Sequence, residues 1–446
     1  MRFSYQELFD NILNRVNIKT EINELKIMTL LERILKQNPW WEKKQIEEIK
    51  NFKKRFLFKD LWNFLHDPQI IAVLGLRRTG KTVLLFQIIE KLLKTKKIPP
   101  KKILYFSFDE ILGKDPEIIE KVLEIYENEI LKEELKEVFV FFDEINHLEN
   151  WQVILKRYYD LKRRIKFFVS GSSSIYLKKT KESLAGRIYE FELEPLSFKE
   201  FLYLKGVTIE DINLQRIKLK KELNKYLLSG SLPEIIQETD FLKVKKYINS
   251  LIDKIIFYDI PKVYEVAEPE VLKSIVSLVA QKPGMILEYQ NLAADLKLSY
   301  QTISKYTNYL EKSYLLKLVY NFRGSPIARA RKLKKAYLGF HNLAVGFLDS
   351  EKELLENIPG LIENLVCLSI RAKWFWRKYT EVDFYHQGIP IEVKYTNKKV
   401  KIKNAILAAK SLKSKKLLVI TKDYESQEKV QGIKVDFIPL WKWLLL

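Results

Sequence analysis

Eight consecutive residues constrain this chain more than any others. Gly75-Leu76-Arg77-Arg78-Thr79-Gly80-Lys81-Thr82 satisfy the pattern G-x-x-x-x-G-K-[ST] at every position. An apolar run at residues 70–74 precedes them, and residues 83–93 behind them carry apolar side chains at helical spacing. The pattern therefore sits between a strand and a helix, the setting in which it has meaning. Small Gly75 and Gly80 let backbone amides turn inward around anionic oxygens, and a helix N-terminus adds the positive end of its dipole. Lys81 brings a full charge to the β and γ phosphates of a nucleotide, and the Thr82 hydroxyl suits magnesium. Leu76, Arg77, Arg78 and Thr79 complete the expected binding loop; the sequence leaves open whether the two arginines touch phosphate or face solvent.

Residues 138–142 are apolar and run into Asp143-Glu144. An acidic pair after a strand is usually a solvated turn, but downstream of a complete phosphate loop it has a chemical use. Asp143 is expected to hold magnesium with Thr82, and Glu144 to polarise the attacking water. ATP and Mg2+ are the expected cofactors.

The texture of the chain follows from its apolar runs. Short β-rich stretches at 70–74, 103–108, 138–142, 166–170 and 189–193 alternate with helical ones, which predicts an α/β unit with a mainly parallel buried sheet over 67–195. Residues 1–66 read as a helical extension, with apolar positions at helical spacing over 21–36. Residues 196–264 read as a helical lid with a turn at Gly230 and Pro233. Within 265–336, helices at 292–296 and 301–310 are joined by Lys297-Leu298-Ser299-Tyr300, the spacing of a helix-turn-helix, and 319–322 begins a wing strand. Residues 337–446 return to mixed α/β, with strands near 382–385, 389–394, 416–421 and 434–439.

Lysine and arginine total 78 against 57 acidic residues, a net charge of +21 and a pI near 9.5. Such an excess favours a polyanionic partner, although a Lys/Glu-rich surface of the heat-adapted kind has the same arithmetic. Position decides between them. Arg323, Arg329, Arg331, Lys332, Lys334 and Lys335 fall between residues 321 and 336 without one acid, and residues 391–446 hold 13 lysines against 5 acids. DNA is the expected partner, met by Tyr300, Gln301, Thr302, Ser304, Lys305 and Asn308 on the second helix. A composition of 47% apolar and 30% charged residues over 446 positions excludes wholesale disorder. Cys367, the single cysteine, is expected to be buried and inert. Residues 1–7 show no apolar signal core and the apolar runs are far shorter than the roughly 18 residues of a membrane span, so a cytoplasmic protein without membrane contact is expected.

The loop 75–82 and Asp143-Glu144 are accompanied by Phe167-Phe168-Val169-Ser170-Gly171-Ser172-Ser173, Leu184-Ala185-Gly186-Arg187, Pro195-Leu196-Ser197-Phe198-Lys199-Glu200-Phe201 and Gly230-Ser231-Leu232-Pro233-Glu234. Together they resemble the AAA-type ATPases of the additional-strand P-loop class, and within it a prokaryotic, largely archaeal group that joins such a module to a C-terminal nuclease-like domain. The resemblance implies that the strand ending at Ser170 lies beside the phosphate-loop strand, where Ser170, or Ser172 as its rival, orients the hydrolytic water. It nominates Arg187 to act on the γ-phosphate, from its own subunit or from a neighbour in a homo-oligomeric ring; a surface pairing with Glu190 or Glu192 is the alternative. Glu363, Asp383 and Glu392-Val393-Lys394 have the spacing of the PD-(D/E)xK nucleases, two carboxylates for magnesium with Lys394 to polarise water or phosphate and Glu363 to complete the site. The expected fold is α/β: a P-loop AAA-type parallel sheet module, a helical lid, a winged helix-turn-helix and a restriction-endonuclease-like α/β domain. The expected function is ATP hydrolysis coupled to action on DNA. Its rivals are an ATP-gated, magnesium-dependent DNA nuclease and a nucleotide-dependent signalling switch that recruits proteins.

Overall fold

The computed structural model of the chain describes residues 29–42, 46, 49, 52–109, 115–172, 183–322 and 333–446. It divides into two units, Met1–Gly75 with Gly80–Leu193, and Leu76–Thr79 with Glu194–Leu446.

The first unit is organised by five short strands: β1 (Ile70–Leu74), β2 (Ile103–Ser107), β3 (Phe139–Asp143), β4 (Lys166–Gly171) and β5 (Ile188–Glu192). They pair in the order β2-β3-β4-β1-β5, every pair parallel. All five residues of β1 and all six of β4 are buried, as strands covered on both faces must be. Helices α1 (residues 29–37) and α2 (Leu57–Asn63) precede the sheet. The covering helices are α3 (Lys81–Thr95), α4 (Glu117–Ile125) and α5 (Trp151–Asp160). Along α3 the buried Leu84, Leu85, Ile88, Ile89 and Leu92 recur at the spacing that presents one stripe to a sheet. Strand β4 stands between β1 and β3, which bears out the inserted-strand arrangement expected around Ser170.

The edge of β2 is closed by the N-terminal segment. Asn38 donates to the Tyr105 carbonyl (2.8 Å) and accepts from the Tyr105 N–H (2.7 Å), and Gln37 accepts from Ser107 N–H (2.8 Å). Trp41 adds its indole N–H to the Ile103 carbonyl (2.9 Å). Backbone groups that an edge strand leaves open are thus satisfied by side chains. The expected packing extension has a definite task; its helix at 21–36 lies outside the described residues up to position 28.

The second unit begins with α6 (Phe198–Lys205), α7 (Arg216–Ser229) and α8 (Phe241–Lys254). Ser197 starts α6 by accepting from Glu200 N–H, and Gly206, at φ 75°, ends it in the left-handed conformation. Next come α9 (Pro269–Gln281), β6 (Met285–Ile286), α10 (Tyr289–Asp295), α11 (Tyr300–Lys312), β7 (Leu316–Asn321) and β8 (Lys334–Leu338). The two expected helices at 292–296 and 301–310 are both present and longer than read, because Ser299 caps α11 through Thr302 N–H and Tyr289 extends α10. The chain continues through α12 (Glu351–Glu356), α13 (Ile358–Ser369), β9 (Trp374–Arg377), β10 (Glu381–Val382), β11 (Phe384–His386), β12 (Ile389–Lys394), α14 (Lys403–Ser411), β13 (Lys416–Thr421), β14 (Ser426–Val430), β15 (Ile433–Pro439) and α15 (Leu440–Trp443).

Two sheets result, β10-β9-β7-β8-β6 and β11-β12-β13-β15-β14. The expected boundary at 336 falls inside β8, and β7 pairs in parallel with β9 at Tyr320 and Trp374, so one sheet serves both sides of it. In the other sheet β12, β13 and β15 are parallel, with α14 as the crossover from β12, while β11 and β14 run antiparallel at the edges. Cys367 is buried, and burial pushes its thiol up. Among the described residues no helix is long and apolar enough to cross a membrane.

Candidate functional site

The carboxyl end of β1 turns at Gly75 and re-enters helical geometry at Lys81. Gly80 caps α3 at φ 93°, a conformation that a side chain resists, so the second loop glycine is a backbone requirement. Lys81 is 5% exposed; its ammonium donates to the Gly75 carbonyl at 3.1 Å and stands 3.7 Å from Glu144. The Thr82 hydroxyl donates to Asp143 Oδ2 at 2.6 Å. The 15-residue α3 directs its first amides at the same place.

Asp143 ends β3 and is 2% exposed. Three hydroxyls converge on it: Thr82, Ser170 on Oδ1, and Tyr105, whose hydroxyl donates to Oδ2 at 2.9 Å. Burial, and then the charge of Glu144, push the Asp143 carboxyl up, and the three hydrogen bonds oppose them. Glu144 follows in the left-handed conformation, at φ 50°; its N–H donates to Ser170 Oγ at 3.2 Å and its Oε2 is buried without a partner. An orphaned carboxylate oxygen beside a lysine, with a hydroxyl and an aspartate carboxylate in contact next to them, is a set of oxygen donors and a cation that fits a nucleotide and its metal. Ser170 therefore bonds Asp143 and the Glu144 amide. Ser172 instead donates its N–H to Asn146 Oδ1 at 3.3 Å, and Ser173 lies outside the described residues.

Two contributors were absent from the sequence reading. Tyr105 reaches Asp143 only because β2 pairs with β3, placing Tyr105 opposite Phe141. Asn146 crowds Gly171 so closely that a Cβ there would lie 2.7 Å from its Oδ1. Neither has a local signature.

Arg187 is not brought to this site. It precedes β5, and its carbonyl accepts from Ile70 N–H at the first residue of β1. The phosphate loop leaves the other end of that strand, roughly 13 Å away at strand rise. The guanidinium pairs with Asp160 at 2.9 Å, not with Glu190 or Glu192. The expectation that Arg187 acts on the γ-phosphate within its own subunit is corrected by this parallel register. Arg77 and Arg78 do not simply face solvent: Arg77 Nε lies 2.5 Å from Asp259 Oδ2, and Arg78 lies 3.0 Å from Glu234, which also accepts from the Tyr247 hydroxyl at 2.8 Å. All five residues belong to the second unit, as does Leu76, which is 1% exposed and joins its core.

Within the second unit, Gln301, Lys305 and Asn308 are exposed on α11, as is Tyr300, and Thr302 and Ser304 are half-buried. Ile303, Tyr306, Thr307 and Leu310 form its buried face. Of the six basic residues expected next to it, Arg323, Arg329, Arg331 and Lys332 lie outside the described residues. Lys334 donates to the Tyr289 hydroxyl at 3.3 Å. Lys335 is a correction: it is buried among Glu363, Glu381 and Asp383, not free to meet a polyanion.

The same cluster gathers the four expected nuclease residues. Glu363 comes from α13 and Asp383 from between β10 and β11; Asp383 Oδ2 accepts from Val393 N–H at 2.8 Å, tying it to β12, where Lys394 pairs with Glu392 at 2.7 Å. Burial and the charge of Asp383 push Glu392 up to about 7, and the same two causes raise Glu363. His386-Gln387-Gly388 makes the hairpin turn between β11 and β12.

Residues 67–202 match the family described as AAA domain, and residues 220–345 match a domain of unknown function. The protein MJ1544 of Methanocaldococcus jannaschii is 30% identical over 426 residues, 88% of this chain and 92% of that protein. The chain belongs to the family of MJ1544 and carries the AAA-domain match within residues 67–202. Within this family MJ1637 of the same organism is 30% identical over 416 residues, 85% of each chain. A protein of Haemophilus influenzae is 26% identical over 404 residues, 84% of this chain and 94% of its own. Among solved structures, the Walker-type ATPase PABY2304 of Pyrococcus abyssi is similar at 16% identity and a TM-score of 0.42, over 66% of this chain and 95% of that one. The AAA-domain match contains the loop 75–82, Asp143, Glu144, Ser170 and Arg187, whereas Glu363, Asp383, Glu392 and Lys394 lie beyond both matched segments.

Proposed function

We propose that this AAA-domain protein binds ATP with magnesium, hydrolyses it, and uses the change of nucleotide state to alter how its second unit engages DNA. The observation that carries the reading is the meeting of Lys81, Thr82, Asp143, Glu144 and Ser170 at one end of a parallel sheet. Magnesium, when bound, withdraws charge from the phosphate oxygens. Thr82 and Asp143 are its donors, Lys81 and the α3 amides hold phosphate, and Glu144 takes the proton of the attacking water. Ser170 holds Asp143 and the Glu144 backbone in register. Arg187 would serve only a neighbouring copy's site, in a homo-oligomer, after release from Asp160.

DNA as partner is supported by the exposed row Gln301, Lys305 and Asn308 on α11, which we read, together with the antiparallel pair β7-β8, as a winged helix. The net charge of +21 and the lysine excess of residues 391–446 add attraction without sequence preference. A second reading, magnesium-dependent cleavage, is favoured by the convergence of Glu363, Asp383, Glu392 and Lys394 and opposed by Lys335 among the same carboxylates. The test is ATP turnover with and without single-stranded, duplex and branched DNA, together with DNA affinity in ATP and in ADP. Stimulation by one DNA form and a nucleotide-dependent affinity are expected; turnover indifferent to every DNA with no duplex binding favours the protein-recruiting switch.

A further inference from the structure

Lys335 is an uncommon occupant of a strand interior. It lies on β8 and is 5% exposed, and its ammonium stands 2.7 Å from Glu381 Oε1, 3.6 Å from Glu363 Oε1 and 3.8 Å from Asp383 Oδ1. The three carboxylates arrive from β10, from α13 and from the residue between β10 and β11. Burial by itself lowers the pKa of such a group, but the attraction of Glu363, Asp383 and Glu381 outweighs it and raises that of Lys335, so the charge is kept.

The rest of the cluster is braced. Tyr337, two residues along β8 and on the same face, donates to Glu363 Oε1 at 2.7 Å. Gly284, at φ 82°, lets the chain run flush against that pair, since a Cβ there would lie 2.8 Å from Glu363 Oε1. Val393 N–H holds Asp383 from the other side at 2.8 Å.

Magnesium demands oxygen ligands at about 2.0 to 2.1 Å in near-octahedral geometry. An ammonium set among three carboxylates fills the space where such ligands would converge and already neutralises part of their charge. Among the described residues no group of three or more His, Cys, Asp or Glu side chains is arranged to hold a metal ion. The residues whose spacing suggested metal-dependent cleavage therefore do not fit a metal in this arrangement.

We infer that Lys335 is the resident cation of this cluster, standing where a nuclease-like site would carry its divalent metal, and that this lysine keeps metal out. The C-terminal carboxylates are then a locked charge cluster that joins β8 to α13, β10 and β12, and removing the lysine opens a metal site on Glu363, Asp383 and Glu392. Mn2+ is the probe. Free Mn2+ is followed by electron paramagnetic resonance while the full-length, nucleotide-free chain is titrated. Wild type and Lys335→Arg show no binding that depends on Asp383. Lys335→Met gains a site at least tenfold tighter than anything in wild type, and Lys335→Met with Asp383→Asn loses it. Wild-type Mn2+ binding that disappears in Asp383→Asn overturns the inference, and so does a folded Lys335→Met that gains no site or a double variant that retains it. If Lys335→Met does not fold, the comparison of wild type with Asp383→Asn still decides. ATP turnover, measured on the same Lys335→Met preparation, stays at the wild-type rate, so failure here is separable from failure of the nucleotide site.

Discussion

Asp143 is a buried carboxylate that would have to be ionised in its proposed magnesium-holding role, and three hydroxyls donate to it. The Tyr105 hydroxyl is the most easily removed without disturbing the loop. Tyr105→Phe deletes a hydrogen bond to a charged group, a loss of about 1.5 to 3 kcal/mol. It also lets burial and Glu144 raise the Asp143 pKa further, so the acid limb of ATP turnover moves to higher pH, as a pH-rate profile will show; an unchanged limb contradicts the role given to Asp143. Glu392 behaves in the opposite sense for stability. Its folded pKa, about 7, lies above the ordinary 4.5 because burial and Asp383 disfavour its charge. The folded state therefore binds this proton more tightly than the unfolded state. The stability this contributes is complete below pH 4.5 and lost as pH rises to about 7. Glu392→Gln should flatten that part of the thermal-stability profile, and a profile as steep as wild type would refute the assignment.

At the scale of elements, α11 divides cleanly into a buried row, Ile303, Tyr306, Thr307 and Leu310, and an outward row that includes Gln301, Lys305 and Asn308. The two rows predict different failures. Ile303→Ala should cost about 2 to 5 kcal/mol of stability through the cavity it leaves, whereas Lys305→Ala should leave the melting temperature unchanged and weaken duplex binding severalfold. Lys305→Ala that binds DNA as wild type would remove α11 from the interface. Features legible in the sequence were those written in contiguous residues: the phosphate loop, the Asp143-Glu144 strand end and the short β-rich runs of the first sheet. Features that depend on which strand lies beside which had no local trace. Tyr105 needs β2 beside β3, Asn38 needs an open β2 edge, and Lys335 needs β8 packed on α13. The own-subunit alternative for Arg187 failed for the same reason, since its motif reads identically whether it stands at the loop end of β1 or at the far end.

For the molecule as a whole, a charge of +21 is an expectation about ionic strength as much as about partners. If about six phosphates are neutralised, duplex affinity falls roughly a thousandfold between about 50 and 200 mM salt. A shallow salt dependence in filter-binding or anisotropy titrations would move the chain toward a protein-recruiting role. Every reading at this scale needs an energy source, which the proposed function assigns to Glu144, whose buried Oε2 has no hydrogen-bond partner among the described residues. Single-turnover ATP hydrolysis by wild type and by Glu144→Gln, with bound nucleotide quantified in the same samples, addresses it. The variant is expected to retain ATP at wild-type affinity and to lose turnover by at least a hundredfold; ATP hydrolysed by Glu144→Gln at the wild-type rate, or a wild-type chain that binds no ATP, would contradict the account.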